Sequence, residues 1–147
     1  MKFNKNLYLQ LVEKEKRLNQ QGVDFFKDNR EEFIQLLTFR ALLSDAIYWR
    51  HKTQYLSIFN SFVEKKLDVE CFKDQFYNLY RKDRDASLGD SLDSSESENF
   101  SKYISSIFVD SDMFSLEAEE GEQYSETWLR TVVNDVLNQI QKEYNFD

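Results

Sequence analysis

The hydrophobic positions of this chain recur at helical spacing, most clearly near its C-terminal end. Between residues 125 and 144 the apolar side chains fall every three or four residues and so share one helix face. They are Leu129, Val132, Val133, Val136, Leu137, Ile140 and Tyr144. Ser125 is a favoured residue for the start of a helix. We therefore predict a helix over residues 126–144.

Aromatic residues mark two further helices in the middle of the chain. One stripe, spaced by seven, four and three residues, consists of Tyr48, Tyr55, Phe59 and Phe62. The basic pair Lys65 and Lys66 suits a helix C-terminus, and Asp68 suits the start of the next helix. That helix has the stripe Phe72, Phe76, Leu79 and Tyr80. The joint between the helices is short, so we expect them, over residues 45–66 and 68–82, to lie antiparallel.

The N-terminal third predicts shorter or less regular helices. Residues 4–21 form a moderately amphipathic pattern that Gly22 would end. Asp28, with a glutamate three residues later, has the spacing of a capping box. The helix after it either continues unbroken or is interrupted at Ser44 and Asp45, and the pattern leaves both possibilities open.

Two acidic connections flank a short predicted helix at residues 100–108. Residues 85–98 are rich in Ser and Asp, which predicts a mobile loop. Residues 110–124 form the second connection, and we expect apolar side chains to tether it to the core. These are Met113, Phe114 and Leu116.

Composition supports an all-α fold. The 147 residues include three glycines and no proline, too few turn residues for a sandwich or barrel. The length predicts a single domain, 1–147, built as a compact bundle of about five helices with acidic connecting loops. A single cysteine, no apolar run of membrane-spanning length and no signal-peptide pattern favour a cytoplasmic protein without a membrane partner.

Charge is distributed unevenly along the chain. Residues 1–50 carry a net charge of +2, whereas residues 51–147 carry −10. Residues 85–126 alone contain twelve Asp and Glu and one base, Lys102. Such a field repels nucleic acid and anionic membranes and attracts a basic protein partner. Solubility is an alternative explanation for the same surface.

No residue set predicts catalysis, a cofactor or a metal site. His51 is the only histidine, and its basic surroundings predict a surface residue; Cys71 is expected to be a small packing residue. The acidic loops lack the ligand spacing of a calcium-binding loop. The basic and aromatic residues between positions 77 and 84 could stack on nucleic acid, but a helix end whose bases complement the dipole is favoured.

Three segments resemble the colicin D-type self-protective immunity proteins and the related immunity proteins of contact-dependent inhibition. They are SFVEKKLDVECFKDQF at residues 61–76, ISSIFVD at 104–110 and YSETWLR at 124–130. The resemblance covers about residues 45–147 as an immunity-like core and leaves residues 1–44 as an N-terminal helical extension.

The resemblance implies an all-helical, non-enzymatic inhibitor that covers the active site of a bacterial nuclease toxin, of the kind that cleaves tRNA. From charge and position, we expect six carboxylates to take the place of phosphates in its cationic cleft. They are Asp110, Asp112, Glu117, Glu119, Glu120 and Glu122. Phe114 or Tyr124 could supply a buried aromatic anchor, although Phe114 could equally pin its loop to the core. The alternative is a general helical protein–protein interaction module.

Overall fold

The computed structural model describes residues 3–85 and 99–146, and the regular elements in these ranges are all helices. They are α1 (Lys5–Gln20), α2 (Phe25–Asp28), α3 (Arg30–Arg50), α4 (Lys52–Val63), α5 (Val69–Arg84), α6 (Ser101–Met113) and α7 (Glu126–Tyr144). The all-α class and the compact bundle are confirmed. The described residues contain seven helices rather than about five, and none of the seven is long and apolar enough to span a bilayer. The loop predicted at 85–98 lies outside the described residues from residue 86 onward.

An aromatic core fills the space between α4, α5, α6, α7 and the end of α3. The rings of Phe62 and Phe72 stack with centroids 4.1 Å apart, and Phe59 meets Phe76 at 5.2 Å. This order of contacts shows that α4 and α5 run antiparallel, as predicted. The predicted stripe of α7 also faces inward, with Leu129, Val133 and Ile140 almost fully buried. Burial of these large side chains is the main source of stability for the bundle.

The turn between α4 and α5 closes the α4 helix with two hydrogen bonds. Lys65 N–H donates to the Phe62 carbonyl at 3.0 Å, and Lys66 N–H donates to the Ser61 carbonyl at 2.8 Å. This is the Schellman pattern, which requires a left-handed residue, and Lys65 takes that role with φ of 64°. Asp68 then caps α5 by accepting from Cys71 N–H at 2.7 Å, as predicted.

The first two helices and the first half of α3 enclose a smaller core of their own. Its buried members are Leu11, Phe25, Leu36 and Phe39. Ion pairs join α1 to α3 on both flanks, Lys14 to Glu32 at 2.6 Å and Glu15 to Arg40 at 2.8 Å. The boundary between residues 44 and 45 falls inside α3, and Phe3 and Tyr8 also pack against Leu43 and Ile47. The division into an extension, 1–44, and a core, 45–147, therefore stays a prediction.

The start of α3 differs from the sequence expectation. Asp28 does not cap α3, because it is the last residue of α2, and Asn29 precedes α3 without a side-chain cap. Of the two possibilities left open at Ser44 and Asp45, the structure shows the unbroken helix, which ends only at His51. The single helix predicted over residues 45–66 is therefore wrong, because the chain divides it at His51 between α3 and α4. A cap residue inside a helix predicts an interruption only when its side chain bonds to its own backbone, and Asp45 does not use its side chain in that way.

Asp45 instead reaches across the bundle to the start of α6. Its buried carboxylate accepts from Asn99 N–H and from Ser101 N–H, both at 2.8 Å. Phe100, the residue that precedes α6, provides no side-chain cap. A residue more than fifty positions away therefore satisfies the first amide of α6, that of Ser101, and the amide of Asn99 just before the helix. These bonds fix α6 to α3.

Candidate functional site: the acidic surface

The helix α6 is longer than predicted and carries part of the acidic set. Asp110 and Asp112 lie in its last turn rather than in a connection. Two positions on a helix are separated by about 200°, so these carboxylates lie on opposite flanks. Asp112 is exposed, whereas Asp110 is half-buried, and this burial raises the pKa of the Asp110 carboxyl above its ordinary value. The structure therefore separates Asp110 from the rest of the set.

A compact loop of residues 114–125, here called the acidic loop, follows α6. Its ends are tied together by Ser115 N–H, which donates to the Tyr124 carbonyl at 2.8 Å. Inside the loop, Glu122 N–H donates to the Glu119 carbonyl at 3.0 Å, and Gly121 provides the positive φ of 85° that this turn needs. Closed ends and internal hydrogen bonds are typical of an Ω-loop, which holds its side chains in a defined arrangement.

The glutamates of the acidic loop are open to solvent. Glu117, Glu119, Glu120 and Glu122 are exposed, and Glu120 accepts a hydrogen bond from the Thr127 hydroxyl. Among the described residues, none of these four, nor Asp110 or Asp112, lies within 4.0 Å of a Lys or Arg nitrogen. We call the five exposed carboxylates, Asp112, Glu117, Glu119, Glu120 and Glu122, together the acidic surface. Its charge is not neutralised by direct contact with described bases of the same chain.

Both candidate aromatic anchors are used inside the protein. Phe114 is half-buried and packs against the aromatic core, so it pins the acidic loop. Tyr124 adopts a positive φ of 73° and places its ring edge against Trp128 at 5.2 Å. Their role in partner binding stays a prediction. Met113 and Leu116 do not tether the loop as expected, because their exposed fractions are 44% and 91%.

A buried polar cluster, which the sequence did not predict, lies where α3 meets α4. Asp83, near the end of α5, is almost fully buried and accepts from the Tyr55 hydroxyl at 2.7 Å. His51 Nδ1 lies 2.8 Å from the other oxygen of Asp83, so His51 is not simply a surface residue. Burial and the bond to Asp83 raise the pKa of Tyr55 well above its ordinary value. These contacts join three helices, which makes the cluster structural.

The described residues offer no metal site. They contain no group of three or more His, Cys, Asp or Glu side chains arranged to hold a metal ion. Cys71 is exposed at the start of α5, so the prediction that it packs in the core is wrong. It lies in the first turn beside the cap Asp68, where the helix leaves it facing solvent.

The basic and aromatic residues at the end of α5 form a helix end packed on the core. Tyr80 stacks on Phe108 at 4.6 Å and on Tyr48 at 5.9 Å, so its ring is already engaged within the protein. Arg81 lies over the ring of Tyr77. Burial, and secondarily the charge of Asp112, raises the pKa of Tyr77 to about 12. These contacts favour the helix-end interpretation over nucleic-acid stacking.

Comparison with known proteins gives one family match, over residues 52–140. The matched family is described as bacterial self-protective colicin-like immunity. No curated protein and no solved structure was found to match the chain. An immunity protein of this kind binds and neutralises a toxin, as an inhibitor rather than as an enzyme. The match spans α4 to α7, more than half of the chain, and includes the whole acidic surface. The chain belongs to the colicin-like self-protective immunity family.

Proposed function

We propose that the toxin is a nuclease of the tRNA-cleaving type and that the acidic surface binds its cationic active site. The observation that carries this proposal is that the carboxylates on α6 and the acidic loop have no Lys or Arg nitrogen of the described residues within 4.0 Å. A surface that served only the fold would be expected to pair some of these charges with nearby bases. Here five exposed carboxylates remain available to a partner.

The chemistry of a nuclease cleft suits such a surface. An enzyme that cleaves nucleic acid gathers Lys and Arg around the phosphates of its substrate. Carboxylates held on the acidic loop can pair with those bases in place of phosphates. They offer the enzyme no bond that it can cleave. Attraction between opposite fields also accelerates the encounter, which matters for an inhibitor that must act before substrate is cut. Since tRNA is cytoplasmic, we place the inhibitor in the cytoplasm.

A growth and cleavage assay tests this function with two charge-matched variants. The loop variant carries Glu117→Gln, Glu119→Gln and Glu122→Gln, which remove three charges without a described ion pair. The control variant carries Glu13→Gln, Asp74→Asn and Asp135→Asn. These remove three exposed carboxylates from α1, α5 and α7.

We expect the toxin to be encoded in the reading frame next to this gene, and its toxic domain is the probe. We expect the parent and the control variant to block RNA cleavage and to protect cells that express this domain, whereas the loop variant protects poorly. Equal protection by both variants would contradict the role of the acidic surface. A toxin domain that does not cleave RNA would contradict the nuclease assignment.

The alternative function, a general helical interaction module, makes a different prediction. It requires an apolar contact surface and an affinity that does not depend on the loop carboxylates. Full binding by the loop variant, with binding lost through an apolar substitution alone, would favour it.

A further inference from the structure

We infer that Val109, Met113 and Leu116, here called the apolar edge, form the hydrophobic anchor of the toxin interface. This inference rests on the proposed function, since it names the contact that the acidic surface surrounds. The complementary site on the toxin is an apolar recess rimmed by Lys and Arg side chains.

Helical geometry shows that the apolar edge faces away from the bundle. The buried side of α6 is formed by Ile104, Ile107 and Ser111. Val109 lies two positions after Ile107 and so points about 200° away, and Met113 follows Val109 by one helical turn. The exposed fractions are 53% for Val109 and 44% for Met113. These two side chains therefore contribute little to the core of the protein.

Leu116 lies three positions after Met113, in the acidic loop. At 91% exposed, it is the most exposed of the large hydrophobic side chains in the described residues. The backbone around it is fixed, because Ser115 N–H donates to the Tyr124 carbonyl and Glu117 N–H donates to the Ser115 hydroxyl. A partner that buries this leucine therefore has little backbone to order.

The position of the apolar edge is unusual within the part of the chain that matches the family. Among the described residues from 52 to 140, the exposed large hydrophobics are these three and no others, and they fall within eight consecutive positions. The same eight positions contain Asp110 and Asp112, and Glu117 follows directly. Apolar groups gathered at one place and rimmed by polar groups are typical of an interaction site.

Charge complementarity decides which occupant fits. A second copy of this chain would bring a second set of unpaired carboxylates against the first, and like charges at close distance oppose such contact. A lipid surface with anionic headgroups would be repelled in the same way. A basic protein surface gains from the carboxylates and can bury the apolar side chains between them.

This arrangement also separates the two contributions to binding. The carboxylates act at a distance and set the rate of encounter, whereas buried apolar groups act only after contact and set the rate of dissociation. The aromatic residues first considered as anchors are already engaged, Phe114 with the core and Tyr124 with Trp128. The apolar edge is the part of this surface that is still exposed and that a partner can bury.

Binding kinetics with the toxin domain of the neighbouring reading frame test the inference. The edge variant carries Met113→Gln and Leu116→Asn, and the matched control carries Ile34→Gln and Leu37→Asn. The latter two side chains are exposed to 49% and 46% on α3, outside the family match. Because all four side chains are exposed, thermal unfolding should show that both variants keep the fold.

We expect the edge variant to dissociate about tenfold to a hundredfold faster, the loss that corresponds to one buried leucine-sized side chain. Its association rate and the salt dependence of that rate should stay as in the parent, and the control should stay within about twofold. Unchanged dissociation of the edge variant would overturn the inference, even if the loop variant associates slowly and so upholds the proposed function.

Two other outcomes would also overturn it. Failure of the parent to bind the toxin domain would remove the proposed function and the anchor together. Sedimentation of the parent alone as a dimer, with the edge variant monomeric, would show that a second copy covers the apolar edge.

Discussion

Replacement of Asp45 by alanine tests whether a long-range cap holds the helix that carries the site. The Asp45 carboxylate is buried on α3 and binds two backbone amides at the start of α6, each at 2.8 Å. Removing it leaves these amides without their carboxylate and releases the N-terminal end of α6. The other end of α6 carries Asp110 and Asp112, so the cap also positions the acidic surface.

The cost of the change follows from the two hydrogen bonds. A hydrogen bond to a charged group contributes about 1.5–3 kcal/mol, and loss of a helix cap typically costs about 0.5–2 kcal/mol. Water can partly replace the carboxylate, since Asn99 is exposed. We therefore expect Asp45→Ala to lower the free energy of unfolding by about 3 kcal/mol, which corresponds to a fall in Tm of about 6–12 °C. Asp45→Asn keeps one acceptor oxygen and should lose about half as much.

Urea unfolding and amide hydrogen exchange measure the two parts of this prediction. Exchange at Asn99 and Ser101 should accelerate in Asp45→Ala, together with the first turn of α6. Asp68→Ala removes a local, exposed cap of α5 and serves as the control. Its exchange changes should stay within α5, and its destabilisation should be smaller. A free energy of unfolding for Asp45→Ala within about 0.5 kcal/mol of the parent would refute the long-range cap.

Three further predictions concern stability. Lys65→Gly should raise the free energy of unfolding by up to about 1 kcal/mol in urea titrations, because glycine relieves the left-handed conformation at φ of 64°. The raised pKa of Tyr55 means that the folded state retains a proton that the unfolded state loses near pH 10. The stabilisation is therefore complete below pH 10 and is lost as the pH rises further, and Tyr55→Phe should flatten this alkaline decline of Tm. Arg130 on α7 donates to two carbonyls of the α4–α5 turn and is mostly buried. Arg130→Met should cost about 2 kcal/mol or more in the same titrations, whereas full stability would show that these bonds add nothing.

Local patterns in the sequence predicted most of the helices. The stripe on α7 and its cap Ser125 lead to the observed boundaries, Glu126–Tyr144, because burial and capping there agree. The cap Asp68 and the antiparallel pairing of α4 and α5 could also be predicted from the sequence, since each depends on residues close together in the chain. The short helix α2 was missed, and four residues are too few for a periodic signal.

Long-range contacts account for the differences. Asp45 looks like an interruption of α3 in sequence, but its partners are the amides of residues 99 and 101, which no local pattern identifies. Asp83 offered a signal that could have been used. It continues the stripe of Phe72, Phe76 and Leu79 at helical spacing, so a buried carboxylate with a hydrogen-bonding partner was predictable there.

The charge pattern of the sequence predicted the acidic part of the candidate site, but the sequence did not predict which apolar side chains are exposed there. The density of Asp and Glu identified the acidic loop, whereas the direction of Met113 and Leu116 depends on where α6 ends. The sequence pattern predicted a helix end at residue 108 and both side chains as tethers to the core, whereas α6 continues to Met113 and both side chains are exposed.

The association rate of the parent with the neighbouring toxin domain, measured across a range of salt concentrations, tests the central claim most directly. We predict a steep fall in the rate as salt increases, a clearly weaker fall for the loop variant, and a control variant that behaves as the parent. An association rate that does not change with salt, or that changes equally in the loop and control variants, would contradict recognition through the acidic surface.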